Sequence, residues 1–514
     1  MKSKQSLPKF IMMISVGLAL IFMLTSNTLA APKYGGTVKI VITKDAKSLG
    51  DISKIFRVDM MMFSLPCVET LVRFDAKGLP KPHLVESWEE APEQNTITLR
   101  LRKGVKFHDG TDFNAEAVKY NLDRYRSSKR AELKIVEKVE IVDSHTVRLV
   151  VSQWDNTLLA NLASYPGFMT APSAFEKHGE MWAANNPVGT GPFKFKKWTK
   201  GASIKYERFD DYWQEGKPYL DSMEMVIIKD PMTRVAAFRA KEVDAVLHLD
   251  SKTVRELRAS GNVETATTPR SFFNYVPDAA HKESPFADLR VRQAVSYAVD
   301  RKAIVKNITG GLWEAINQPA SSGMWECNPD VVGHPYNPSK AKELLAEAGY
   351  PNGFKTTMDL PNMDADLISA TTAVQGYLRN VGIDAKMELL DISRYLEKGL
   401  KGWKGMHYGG GAIAIPDQLS NLKRVYSGFS PHQVSTIKPA RIDELLVKGL
   451  AAHDFETKKA IAHKLMKLYA DEYCSVFWFG IVTDTSAWQK HVQGLGLNEV
   501  VAFLFTPEDA WVDK

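Results

Sequence analysis

The sequence predicts a mixed α/β protein of two or more lobes. At 514 residues it is longer than one hydrophobic core normally covers. Strand-like alternation and helix-like apolar spacing follow one another along it without an internal repeat. Its composition, 44% hydrophobic and 25% charged, belongs to a globular chain and not to a disordered one.

Residues 1–30 stand apart. Lys2, Lys4 and Lys9 surround the start of an apolar run, FIMMISVGLALIFML, and Thr28-Leu29-Ala30 offers small residues for a cut after Ala30. This pattern predicts a secretory signal peptide, with an uncleaved anchor as the alternative. No cysteine precedes Cys67, so the lipid-accepting cysteine of a lipoprotein signal is absent and a released, soluble product is expected. The signal carries three lysines and no acid, so cleavage lowers the net charge from +6 to +3. Acids and bases alternate throughout, without the concentrated basic face that a nucleic-acid partner needs.

The remaining elements follow in order. TVKIVIT (37–43) and TITLRL (96–101) alternate like half-buried strands, and VEIVDSHTVRLVV (139–151) reads as two strands about a turn at Asp143-Ser144. Asn114 is an N-cap for a helix with Val118, Leu122 and Tyr125 on one face. After Pro187 the text turns strand-rich: GPFKFKKW, ASIKYERF, MEMVII. Asp288 caps a helix with Val291, Val295, Ala298 and Val299 inward. Asn337-Pro338 opens another with Ala341, Leu344, Leu345 and Ala348, closed by Gly349 and Pro351. Further helices fit 365–380 and 456–471. Of the three cysteines, Cys327 and Cys474 form the more plausible disulfide, against a default of three buried thiols.

Catalytic motifs are missing. There is no Walker A loop, GxSxG, HExxH or CxxC. VGTGPF (188–193) is a tight turn into a strand, and His108-Asp109-Gly110 is turn chemistry. His407, His432, His453 and His463 lack ligand spacing. MMMF (60–63) reads as core or pocket wall before a soft-metal site. No cofactor is expected. A secreted hydrolase would need a nucleophile–base pair, and a periplasmic chaperone an exposed apolar surface; both are rival readings.

Five stretches in order carry a resemblance: ETLVRFDAKGLPKPHLVESWE (69–89), LRLRKGVKFHDGTDFNAEAVKYNLDR (99–124), VGTGPFKFKKW (188–198), PFADLRVRQAVSYAVDR (285–301) and NPSKAKELLAEAGYPNGF (337–354). Together they resemble the family 5 extracellular solute-binding proteins of ABC importers, the dipeptide, oligopeptide and nickel type. The resemblance implies a two-lobed periplasmic binding protein fold (type II, Venus-flytrap) with an extra inserted subdomain. Lobe I would comprise 31–66, 188–286 and 485–514, the insert 67–187, and lobe II 287–484. It implies a non-enzymatic, monomeric receptor that shuts over a small solute and delivers it to a membrane permease whose ATPase is a separate subunit.

The resemblance also points to HYGGGAIAIPDQLSN (407–421). Peptide-binding members carry a WxxDYxDP-like segment here, whose first aspartate pairs with the peptide amine. With Pro416 on that proline, the tryptophan becomes Gly409, the aspartate Ala412 and the second aspartate Ile415. An unpaired buried ammonium costs several kcal/mol, so this anchor is not carried over. The expectation is that Gly409, Gly410 and Gly411, with Ala412 and Ile413, offer bare backbone to a bulky or flat ligand. An interdomain turn without ligand contact is the alternative, and a further rival is a compensating carboxylate elsewhere, such as Asp45, Asp51 or Asp59. Further candidates are Phe272, Phe273, Asn274 and Tyr275, Met324 and Trp325, and Trp403 and Tyr408 beside the glycines. Peptides lead the ligand classes, ahead of oligosaccharides, opine-like conjugates and chelated nickel.

Overall fold

The computed structural model describes residues 31–51, 58–128, 130–362, 364–411, 416–497 and 505–513. The expected signal peptide, Ala412 and Ile413 lie outside these residues.

The N-terminal alternation becomes Thr37–Ile42 (β1), which lies between parallel neighbours. The strand-rich stretch after Pro187 supplies Phe193–Thr199 (β2), Ser203–Arg208 (β3), Ser222–Ile227 (β4) and Ala245–Val246 (β5). Two long strands follow, Val263–Pro277 (β6) and, near the C-terminus, Phe477–Gln489 (β10). Between them in sequence come Phe354–Pro361 (β7), Ile383–Leu390 (β8) and Met406–Tyr408 (β9). All belong to one sheet of order β2-β3-β4-β1-β5-β10-β6-β9-β7-β8, with the short strand Glu314–Ala315 also on β10. β6 and β10 thus join an N-terminal half of the sheet to a C-terminal half. They pair antiparallel from Val263↔Gln489 to Tyr275↔Phe477, with register shifts between Pro269 and Ser271 and between Phe273 and Asn274. Pro269 has no N–H to give the ladder, and the strand bulges immediately after it.

The segment between β1 and β2 builds its own antiparallel sheet, ordered Val85–Ala91, Thr96–Leu101, Thr146–Val151, Val136–Asp143. Helix α1 (Ala115–Ser127) packs on it, burying Val118, Leu122 and Tyr125 as its spacing requires. Asn114 Oδ1 accepts the Ala117 N–H at 3.0 Å, capping α1. One apolar core runs unbroken from β1 and β4 (Val38, Ile40, Met223) into this segment (Leu99, Phe113, Leu149), and includes Met61 and Met62.

Helices α2 (Leu289–Ala298), α3 (Pro338–Glu347) and α4 (Ala365–Arg379) cover one face of the C-terminal half, α2 and α3 capped by Asp288 and Asn337 as expected. Val299 is buried, but just beyond the end of α2. Helices α5 (Gln418–Tyr426), α6 (Ala440–Leu450) and α7 (Phe455–Lys467) share a separate core. The three cysteines are free thiols; Cys67 and Cys474 are buried and Cys327 half-buried. In VGTGPF, a side chain on Gly189 would meet the Cys67 carbonyl oxygen at 2.1 Å, so that glycine answers a close backbone approach.

Candidate functional site

The β6–β9 junction gathers most of the residues singled out in the sequence. On β6, Phe272 and Val276 enter the core shared with α5–α7, and Phe273 and Tyr275 enter the other. Both faces of the strand are therefore covered. The Trp403 indole N–H donates to Val276 O at 3.1 Å, and its ring stacks on His407, 4.9 Å between centroids. The Tyr408 hydroxyl donates to Phe272 O at 3.0 Å.

The glycines follow directly. A Cβ on Gly409 would sit 2.1 Å from Asn274 Oδ1 and 2.8 Å from Val276 Cγ2, so only glycine lets the chain run this close to β6. The Gly409 N–H donates to Asn274 O at 3.1 Å. Gly410 has φ +56°, and its carbonyl accepts the Tyr426 hydroxyl at 2.8 Å. That same hydroxyl accepts from Asn274 Nδ2 at 2.7 Å. The structure therefore supplies Gly409 and Gly410 with partners inside the chain, where free backbone groups were expected. Gly411 is half-buried with φ +86°. Two of the compensating acids are also engaged. Asp45 accepts the Trp198 indole N–H and the Gly201 N–H at 2.9 and 2.7 Å, and Asp51 pairs with Arg124 at 2.8 Å.

Met324 and Trp325 lie elsewhere. Pro416 leads into α5, whose N-cap Asp417 accepts the Ser420 N–H at 2.8 Å and pairs with Lys458 of α7. The Lys458 ammonium also lies over the Trp325 ring, 5.4 Å from its centroid. Behind them, the fully buried Glu326 accepts the Gln418 N–H at 3.0 Å through Oε1. Its Oε2 has no hydrogen-bond partner among the described residues. Burial pushes the Glu326 carboxyl up to about 8, and the neighbouring Asp417 adds to the rise.

A cavity of about 220 Å³ opens in front of this cluster. One wall comes from the smaller-sheet segment, with Gly78, Leu79, Pro80, Trp88 and Glu90 and then Asn156, Leu159 and Ala160; the other comes from Trp325, Pro416, Asp417 and 452–458. Contacts on either side close it. At Gly78 (φ +78°) a Cβ would meet Pro416 Cβ at 2.5 Å and Met324 Cε at 3.4 Å. Asn156 caps the end of α6: its backbone N–H reaches Leu450 O at 2.9 Å, and Nδ2 reaches Gly449 O and Ala452 O at 2.9 and 3.1 Å. The Trp154 indole N–H adds a bond to Ala452 O at 3.2 Å.

Residues 80–432 match the family described as bacterial extracellular solute-binding proteins, family 5 Middle. The chain belongs to this family. It is 30% identical to the glutathione-binding protein GsiB of Escherichia coli K12 over 450 residues, 83% of this chain and 85% of that one. It is also similar to the periplasmic binding protein AgaA of A. tumefaciens R10, solved with agropinic acid. That match has 27% identity and a TM-score of 0.74, and covers 93% of this chain and 99% of AgaA. The Listeria monocytogenes substrate-binding protein CtaP shares the fold, with a TM-score of 0.84 at 21% identity, over 94% of this chain and 100% of that one. Family 5 solute-binding proteins are two-lobed, periplasmic and non-enzymatic; they bind small solutes or peptides and work with the permease and ATPase components of ABC importers. This chain is a transport protein of that kind.

Trp88, Glu90, Asn156, Phe455 and Lys458 carry no signal in the sequence. Lys458 looks like any lysine of an amphipathic helix, and the cavity is assembled from segments up to about 380 residues apart. Asp417 offered a signal that the sequence reading passed over, an N-cap residue just after Pro416.

Proposed function

We propose that the chain captures a short peptide or peptide-like conjugate by closing lobe II, residues 287–484, onto lobe I (31–66, 188–286 and 485–514) and the insert (67–187). The carrying observation is the paired crossing of β6 and β10 combined with the bonds from Trp154 and Asn156 to the end of α6. The unbroken core from β1 into the smaller sheet supports an insert that moves with lobe I, so its bonds to α6 cross the cleft. Such contacts, made only when shut, are what favours closure. Phe272, Phe273, Asn274, Tyr275, Trp403 and Tyr408, buried where ligand contact was expected, would hold the glycine turn in place beneath the crossing, with Met324 and Trp325 as a side wall of the cleft. Export through the 1–30 signal, cleavage after Ala30 without a lipid anchor, and a monomeric state complete the reading.

The 30%-identical glutathione-binding relative supports a peptide-like solute. The missing acid at Ala412, with the agropinic-acid-bound relative, favours a second reading, an opine-like conjugate without a free terminal amine. Native mass spectrometry and solution scattering of residues 31–514 with glutathione, di- to tetrapeptides and opines test both. Retention of one unaltered solute with a smaller radius of gyration is expected. A chemically changed solute, or no compaction with any of them, overturns the proposal.

A further inference from the structure

The cavity beside Trp325 has one-sided chemistry. Its apolar lining is aromatic at three points, Trp88, Trp325 and Phe455, and the Trp325 and Phe455 rings lie 5.2 Å apart at 60°. Its polar lining is dominated by acceptors. The Glu90 side chain has no hydrogen-bond partner among the described residues, and the Lys458 ammonium is the charge that acts on it. Asn156 uses both its donors on α6, and its Oδ1 is buried with no partner among them. Asp454, on the cavity lining, caps α7 by accepting the Thr457 N–H at 2.8 Å, with the Thr457 hydroxyl and the Glu456 N–H also on its carboxylate. The main donor is the Lys458 ammonium, which is committed to Asp417. His453 pairs outward with Glu93 at 3.1 Å. With His453 neutral, Glu90, Asp417 and Asp454 outweigh Lys458 by two negative charges.

Acceptors without donors, aromatic faces and excess negative charge suit a cation on a slender tether. We infer that this cavity receives a protonated amine or guanidinium group of the solute, with Trp88, Trp325 and Phe455 around its stem and Glu90, Asp454 and Asn156 Oδ1 at its charged end. The inference rests on the proposed capture of a small solute and names one chemical group of it. It also gives a positive group a place to go in a chain without an acid at Ala412.

The test uses residues 31–514 and two probes of the same shape, n-butylguanidinium and n-butylurea, followed by calorimetry and indole fluorescence. Butylguanidinium is expected to bind about tenfold more tightly than the neutral urea. Glu90→Gln is expected to erase most of that preference, and Trp325→Ala to weaken butylguanidinium about fivefold and remove its fluorescence change. Equal binding of both probes, no binding of either, or unchanged binding in both variants overturns the inference. Scattering with peptide solutes separates this result from the capture reading. A protein that compacts on a peptide but does not discriminate the probes keeps the clamp and loses this pocket. One that prefers butylguanidinium but never compacts keeps the pocket and loses the clamp.

Discussion

Glu69 and Glu326 are carboxyl groups equally stripped of water, 1% and 0% exposed, yet they titrate on opposite sides of neutrality. Burial alone would raise both. Around Glu69 it is outweighed: the His83 ring lies 3.0 Å away, the Arg73 guanidinium 3.8 Å away, and Tyr212, Trp213 and Thr190 donate at 2.7, 2.9 and 2.8 Å. The group is held down to about 2. Glu326 has one backbone donor and an acid beside it, and stands at about 8. Donor supply, not depth, separates a charged rivet in the N-terminal core from a neutral acid behind the Trp325 wall. The same contrast separates the Gly409 and Gly410 carbonyls, which have partners, from Asn156 Oδ1 at the cavity, which has none among the described residues.

The contrast breaks most visibly at Glu69. Replacing it with glutamine should cost about 3–5 kcal/mol in urea unfolding at pH 7, because the buried Tyr212, Trp213 and Thr190 donors lose their anionic acceptor, while Arg73 keeps only Glu508. A cost below about 1 kcal/mol would make the network ornamental. Since its folded value lies below the usual 4.5, Glu69 contributes stability that is present at neutral pH and fades as pH falls from about 4.5 towards 2.

Glu326→Gln should act in the opposite sense to Glu69→Gln. The folded value lies above the unfolded one, so the parent holds an extra proton when folded and loses stability as pH rises from about 4.5 to 8. The variant should lie close to the parent near pH 5 and exceed it by about 4 kcal/mol by pH 9. Melting curves that run parallel across this range would show Glu326 to be better solvated than its surroundings imply.

Next in size, Tyr426→Phe strips the hydroxyl shared by Gly410 O and Asn274 Nδ2. It should cost about 1–3 kcal/mol by leaving buried groups unpaired. An unchanged unfolding midpoint would mean that this turn is as unsatisfied as the cavity.

Asn156→Ala should be the mildest for folding, within about 1 kcal/mol, because only two side-chain bonds to α6 are lost. Solute affinity should nevertheless fall about five- to tenfold if those bonds exist only in the shut form. Scattering of the ligand-bound variant would show a larger radius of gyration than the parent.

Local rules made much of the fold legible. Alternation located β1 and the strands after Pro187, and the short polar residues Asn114, Asp288 and Asn337 marked helix starts because their side chains satisfy the first free N–H groups. The site was readable only in outline. Alternation in SFFNYVP normally tells an open face from a closed one, but here β6 has a core on each side. The reason for Gly409 lies in Asn274, a residue on the neighbouring strand that no local pattern pairs with it. Of the cavity, Trp325 stood out for its type, whereas Glu90 and Asn156 acquire meaning only from what the fold places opposite them.

The ladder between β6 and β10 has one more consequence. The strand that carries the chain out of the first half is zipped, residue by residue, to the strand that brings it back. A protease that nicks either strand leaves the pieces fastened edge to edge, so the cleaved molecule should elute from a sizing column as a single particle and fall apart only in denaturant.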